Sequence, residues 1–233
     1  DNLLRVEDRG DHVCVYPEYL YRAEEGVAHR LLALRDNVNA LWKVDYQKII
    51  REWERDERIR LAPEQAEAVK ASVDHGVFVL TGGPGTGKTT VVKGILSVME
   101  QAGCKILLAA PTGRAAKRLS ESAGKPALTV HRLLEYTPNG EGDSFWGRNE
   151  DNPLEADAVI VDEASMMDIV LMYNLLKALP LGCRLILVGD VDQLPSVGPG
   201  NLLGEIIRSG LVPTVCLNEI FRQAKRSLIV ENA

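Results

Sequence analysis

The chain has 233 residues, 45% hydrophobic and 26% charged, with a net charge of −6 at pH 7. That is enough apolar material for one sizeable core with a small appended unit, and no stretch is long and uncharged enough for a membrane span or basic-then-apolar enough for a leader. The acidic balance excludes nucleic-acid binding through global charge, so any such contact has to use a local basic face.

The four cysteines (Cys14, Cys104, Cys183 and Cys216) are far apart, and three lie in or beside apolar runs. Buried reduced thiols in a cytoplasmic protein explain them better than disulfides or a metal site. The chain opens Asp1-Asn2 without a methionine and stops within a helical pattern at Ser227–Ala233, which reads as a piece of a longer protein.

Residues 1–60 differ in kind from the rest. Tyr19–Leu34 sets Leu20, Ala23, Val27, Leu31 and Leu34 at helical spacing with charges between them. Leu41–Arg60 is dense in both signs of charge, with Trp42, Ile49 and Trp53 as apolar contacts. Together they read as a small helical packing unit, part of a preceding domain, with solvated charges.

From Leu61 short apolar runs alternate with helical patterns. Strands are predicted at Val77–Leu80, Lys105–Ala110, Ala158–Val161, Arg184–Val188 and Val212–Leu217. Helices are predicted at Pro63–Asp74, Val91–Ala102, Arg114–Ser122, Ile169–Leu179 and Leu202–Ser209. The alternation implies an α/β fold of βαβ units with a parallel sheet, binding its ligands at the carboxyl ends of the strands. Residues 136–152 break the rhythm: they are rich in Gly, Asn and charge around Phe145-Trp146, and Thr137-Pro138-Asn139-Gly140 is a turn signal. An excursion from the sheet, in the form of a hairpin, fits this segment better than a core element.

Gly82–Thr89 reads GGPGTGKT directly after the first apolar run and before a helical segment, a complete phosphate-loop pattern. The glycines let backbone N–H groups turn toward phosphate, and the loop opens onto a helix N-terminus suited to anions. Gly83, Pro84, Gly85, Thr86, Gly87, Lys88, Thr89 and Thr90 are therefore the predicted nucleotide contacts. Lys88 supplies a point charge for the β- and γ-phosphates, and the Thr89 hydroxyl is a ligand for Mg²⁺.

The run Val159-Ile160-Val161 delivers Asp162 and Glu163 side by side. Alone, such a pair is weak evidence and reads more readily as a solvated strand end. After a complete phosphate loop it reads as catalytic, with Asp162 holding Mg²⁺ and Glu163 polarising the attacking water. A third strand end, Leu187-Val188, leads into Gly189-Asp190-Val191-Asp192-Gln193, where Gln193 either senses the γ-phosphate, orients water or belongs to a plain turn.

Together these segments resemble superfamily 1 helicases and, within them, the RecD-like DNA helicases. The phosphate loop, DEA at Asp162–Ala164 and GDVDQLPSVGPG at Gly189–Gly200 are joined by LAPEQ (Leu61–Gln65), LAAPTGRAAKRL (Leu108–Leu119), LTVHRLL (Leu128–Leu134) and LNEIFRQA (Leu217–Ala224). These seven motifs agree in identity and order across Leu61–Ala233. The resemblance implies a RecA-like P-loop NTPase domain at 61–233, a parallel sheet flanked by helices, preceded by a small helical region at 1–60. It makes the 136–152 segment an inserted strand-separating pin.

The resemblance also assigns roles. Gln65 would hydrogen-bond the adenine of ATP, Gln193 would couple to the γ-phosphate, and Arg222 would act on it like an arginine finger. Thr112 and Gly113 would bind a backbone phosphate of single-stranded DNA, with Arg114, Lys117 and Arg118 on one helix face beside them. Thr129 and His131 would touch the same strand. The implied partners are single-stranded DNA and its junctions with duplex, and a second RecA-like domain carrying its own arginine. Polarity, 5′-to-3′, comes from the family alone, and the protein is expected to be a cytoplasmic monomer. One motor domain binds nucleotide but cannot step, so this stretch alone is expected to bind ATP–Mg²⁺ with little turnover and no unwinding. The competing reading is a nucleotide switch or interaction module, which gives no reason for Thr112, His131 and Gln193 together. A small-molecule kinase is disfavoured because Glu163 beside Asp162 suits water activation better than transfer to a bound acceptor.

Overall fold

In the computed structural model, which describes residues 3–38, 45–138, 144–193, 196 and 198–218, the apolar runs pair side by side as the alternation requires. The chain opens with a hairpin, β1 (Leu4–Asp8) and β2 (Val13–Pro17), followed by α1 (Glu18–Asp36) and α2 (Tyr46–Asp56). Then come α3 (Pro63–Asp74), β3 (Val77–Gly82), α4 (Lys88–Gln101), β4 (Ile106–Ala110), α5 (Gly113–Ala123) and β5 (Ala127–Thr129). A one-turn α6 (Val130–Leu133) leads to a second small hairpin, β6 (Tyr136–Pro138) and β7 (Ser144–Trp146). The chain returns to the sheet through β8 (Ala158–Val161), α7 (Ile169–Ala178), β9 (Arg184–Gly189), α8 (Leu202–Ser209) and β10 (Thr214–Leu217).

The main sheet is six-stranded in the order β10–β3–β9–β8–β4–β5, and every pair in it is parallel. All residues of β3, β8 and β9 are buried, which is why these strands read as continuous rather than alternating apolar runs. Their side chains still divide by face. Val77, Val79, Val159, Val161, Leu185 and Leu187 join α1, α7 and α8, whereas Phe78, Leu80, Ile160, Ile186 and Val188 join α2, α3 and α4. The sheet is thus the middle of three layers.

Among the described residues of the first sixty, both helices pack against the main sheet's layers. The apolar stripe of α1 (Ala23, Val27, Leu31, Leu34) is buried in the same cluster as α7 and the sheet. Gly26 allows the close approach: a Cβ there would lie 2.1 Å from a ring carbon of Tyr173. On the opposite face Ile49 and Ile50 of α2 join the α4 cluster, with the Trp53 ring over Gly94. A sheet buried on both faces needs both covers, and these helices supply part of each. Trp42 lies outside the described residues.

The region is also not wholly helical, because β1 and β2 precede α1. Their turn is built by Asp8, whose carboxylate accepts the Gly10 N–H at 2.9 Å, with Gly10 at φ +85°. The cysteines differ from expectation too. All four are free, but only Cys183 is buried, and burial pushes its thiol up to about 12. Cys216 is exposed on the edge strand β10, and Cys14 and Cys104 are half-buried. No helix among the described residues is long and apolar enough to cross a membrane.

Candidate functional site

The carboxyl end of β3 runs straight into the phosphate loop, and α4 begins at Lys88. Gly85 and Gly87 take φ +82° and +90°, the left-handed region that only glycine enters without strain, and Gly87 is the N-cap of α4. Thr86 is buried and its hydroxyl donates to the Gly83 carbonyl at 2.9 Å, closing the loop on itself. Lys88 Nζ donates to the carbonyls of Gly82 (2.5 Å) and Gly83 (3.0 Å). Thr89 is exposed on the first turn of α4 and Thr90 half-buried. Pro84 is exposed at the loop's crest.

Gln65 has a structural task that its spacing did not reveal. Helix α3 starts with Pro63 and has no capping side chain at Ala62, so Gln65 reaches back and its Oε1 accepts the Ala62 N–H at 3.0 Å. Its Nε2 donates to the Thr86 carbonyl at 3.3 Å, and the residue is 5% exposed. The amide expected at adenine is thus also a strut between the start of α3 and the phosphate loop.

Beside β3 stands β9, and beside β9 stands β8, so the loop, Asp162–Glu163 and Asp190–Gln193 all emerge on one edge. Asp162 Oδ1 accepts the Glu163 N–H at 3.0 Å. Burial, and then the charge of Glu163, hold the Asp162 carboxyl above its ordinary range, while the Glu163 N–H and the Lys88 ammonium oppose the rise. Lys88 and Asp162 therefore feel each other across the end of the sheet. Glu163 sits at φ +55°, an uncommon conformation for a non-glycine residue, at the cap of the short helical turn Ala164–Met166. The side-chain amide of Gln193 donates to Asp190 at 3.1 Å.

Farther along the same edge, two threonines repeat one arrangement. Thr112 caps α5 by accepting the Ala115 N–H at 3.2 Å, and Thr129 caps α6 by accepting the Arg132 N–H at 3.2 Å. They follow neighbouring strands, with Ala110 of β4 in register with Thr129 of β5. Gly113 is exposed, and so are Arg114, Lys117 and Arg118 along one face of α5. His131 is exposed but not isolated: its ring stacks on Trp146 at 5.8 Å and meets Tyr136 edge-on at 5.3 Å.

That aromatic trio is the base of the β6–β7 hairpin, where Tyr136 and Trp146 are register partners with rings 4.5 Å apart. Phe145 is 58% exposed on the same hairpin. The turn Asn139-Gly140 and Arg222 both lie outside the described residues, as does the end of the LNEIFRQA motif. Asp190, buried at 3% exposure, is the site residue that sequence reading passed over. Its signal was available, in that a carboxylate at a strand end three residues before Gln193 has the spacing of a side-chain-closed turn.

A family model described as AAA domain matches residues 65–199. An ATP-dependent RecD2 DNA helicase of Deinococcus radiodurans is 44% identical over 173 residues, covering 74% of this chain and 23% of that protein. The RecBCD enzyme subunit RecD of Mycobacterium tuberculosis is 37% identical over 224 residues, covering 84% of this chain and 36% of that protein. Among solved structures, the Pif1 helicase from Candida albicans superposes with a TM-score of 0.52 at 25% identity, over 74% of this chain and 43% of that one. The chain thus spans between about a quarter and a third of the length of these curated relatives. The chain belongs to the AAA domain family and, within it, to the RecD-like helicases of superfamily 1.

Proposed function

We propose that this chain is the first motor domain of an ATP-dependent DNA helicase that translocates 5′-to-3′ on single-stranded DNA and opens duplex in repair or recombination. The observation that carries the reading is the shared edge. The phosphate loop, Asp162–Glu163 and Gln193 follow β3, β8 and β9, and the Thr112 and Thr129 helix starts follow β4 and β5 beside them. Hydrolysis at one end and a strand at the other then share one rigid sheet.

The residues fit ATP and Mg²⁺. The left-handed Gly85 and Gly87 keep the loop free of side chains, and Asp162 is a part-buried carboxylate at the same end of the sheet. Thr89 and Asp162 would hold Mg²⁺, which neutralises charge on the β- and γ-phosphates. Lys88 exchanges its two loop carbonyls for phosphate oxygens. Glu163 takes the proton of the attacking water, and Gln193 and Arg222 act on the γ-phosphate. Gln65 contacts adenine while bracing the loop. Thr112, Gly113, Arg114, Thr129 and His131 hold the DNA backbone, and the 136–152 hairpin separates strands.

A second RecA-like domain, carried elsewhere in the parent chain, closes the nucleotide site, and the protein works as a monomer in the cytoplasm. The stretch 1–233 alone binds ATP–Mg²⁺ without unwinding. The test is strand displacement by the full-length protein on duplexes with a 5′ or a 3′ single-stranded tail, with and without residues 139–143. Unwinding of the 5′-tailed substrate only, lost on deletion while DNA-stimulated hydrolysis survives, is expected. Unwinding of the 3′-tailed substrate, or strand displacement by 1–233 alone, contradicts the proposal.

A further inference from the structure

Among the described residues Asp190 is the one buried carboxylate. It stands where β9 ends, and both of its oxygens are engaged. Oδ1 accepts the Asp192 N–H and Oδ2 accepts the Gln193 side-chain amide, each at 3.1 Å. Its backbone carbonyl takes the Gln193 N–H at 3.3 Å. The turn is therefore folded about the Asp190 side chain. A hydroxyl or an amide would close the same turn at a lower desolvation cost.

What a carboxylate adds is that it only accepts. It can bond Gln193 through Nε2 and in no other way. A flipped amide would set Oε1 against a carboxylate oxygen, losing the hydrogen bond and opposing two acceptors. The mount itself is firm, because a Cβ on Gly189 would come within 2.6 Å of Leu203 Cδ2 and 3.2 Å of the Ser165 nitrogen. The end of β9 is thus packed directly against the turn that follows Asp162 and Glu163.

We infer that Asp190 is a positioning residue that fixes the sense of the Gln193 amide. With Nε2 tied to Asp190, one N–H and the carbonyl oxygen of Gln193 face the nucleotide in a single order. The inference rests on the role proposed above for Gln193.

The test is a double-mutant cycle in the full-length protein, read as kcat and KM for ATP with saturating single-stranded DNA. Asp190→Asn keeps the size and, with its Oδ1 on the Asp192 N–H, turns an Nδ2 donor toward Gln193, so it favours the flipped amide. It is expected to lower kcat about tenfold, the weight of one hydrogen bond to a charged group, with KM within about twofold. In a Gln193→Ala background the same substitution is expected to change kcat by less than about twofold, because its target is gone. An equal fold-loss in both backgrounds, or no loss in the parent, overturns the inference. A Gln193→Ala variant that hydrolyses ATP at the parental rate instead overturns the role of Gln193 itself. Thermal melting of each variant identifies any loss due to unfolding, and an Asp190→Asn protein that unfolds while Asp190→Ser stays folded and fully active also overturns the inference.

Discussion

The two ends of the sheet's carboxyl edge are built on opposite principles. Around the phosphate loop the polar groups are tied to one another or to the backbone: Gln65 to Thr86, Thr86 to Gly83, Lys88 to two carbonyls, Gln193 to Asp190. Apart from Gln65 on α3, they follow β3 and β9, whose residues are all buried. Around β4 and β5 the half-buried Thr112 and Thr129 cap helices beside the exposed Gly113, Arg114 and His131, and β5 is a three-residue edge strand. Chemistry on a phosphoryl group needs donors fixed before the reaction, which a buried strand end provides. A track gripped and released in each cycle, the role proposed for these helix starts, suits a more exposed setting.

The largest effects are expected at the buried end. Lys88→Ala should reduce DNA-stimulated ATP hydrolysis by about a thousandfold, and Glu163→Gln by about 10²- to 10⁴-fold with nucleotide binding retained, checked by phosphate release and by nucleotide titration. If Glu163→Gln loses binding and turnover alike, the strained Glu163 turn is structural and the contrast between the ends narrows.

At the exposed end Thr112→Ala should weaken single-stranded DNA binding about tenfold while leaving basal hydrolysis intact, and the lost cap should cost the fold about 1 kcal/mol. Thr112→Ser keeps the cap and should restore both, as read by fluorescence anisotropy and thermal melting. Full affinity in Thr112→Ala would confine that residue to its capping role.

Trp146→Ala should be milder, removing ring contacts worth about 0.5–1.5 kcal/mol each at the hairpin base. The expected outcome is slower unwinding with hydrolysis within about twofold, measured side by side on a tailed duplex. Equal loss of both activities would tie the hairpin to the motor instead of to strand separation.

The smallest effect is on stability and has a sign that burial dictates. Because the folded pKa of Asp162 is raised, its charged form costs stability above the unfolded pKa, and the cost disappears as pH falls through the raised value. Asp162→Asn should therefore raise the melting temperature at pH 7 without nucleotide or Mg²⁺, and by less in acid, while abolishing Mg²⁺-dependent hydrolysis. A lower melting temperature at pH 7 would show that the Glu163 N–H bond outweighs desolvation.

The same contrast governs how much could be read from sequence. The central strands and α3, α4, α7 and α8 were legible because burial on both faces leaves continuous apolar runs between turn residues. Ala127–Thr129 was passed over as a strand because three half-exposed edge residues carry no periodicity. The β1–β2 hairpin hid behind Glu7, Asp8, Arg9 and Asp11, and its apolar residues Leu4, Val6, Val13 and Val15 remain exposed. The stripe of α1 was visible, but a stripe does not say which surface it meets, and it meets the motor's own sheet and α7. At the site, the loop and the Asp-Glu pair were plain from chemistry and spacing. Asp190 was not, because its meaning lies in what its oxygens accept after the turn has folded.

On the proposed function, one sheet edge joins ATP hydrolysis to single-stranded DNA. Steady-state ATP hydrolysis by the full-length protein with increasing single-stranded DNA, alongside Thr112→Ala and Glu163→Gln, tests this coupling. The expected result is stimulation of about tenfold or more, shifted to higher DNA concentration in Thr112→Ala and absent in Glu163→Gln. Hydrolysis indifferent to DNA at every concentration would contradict it.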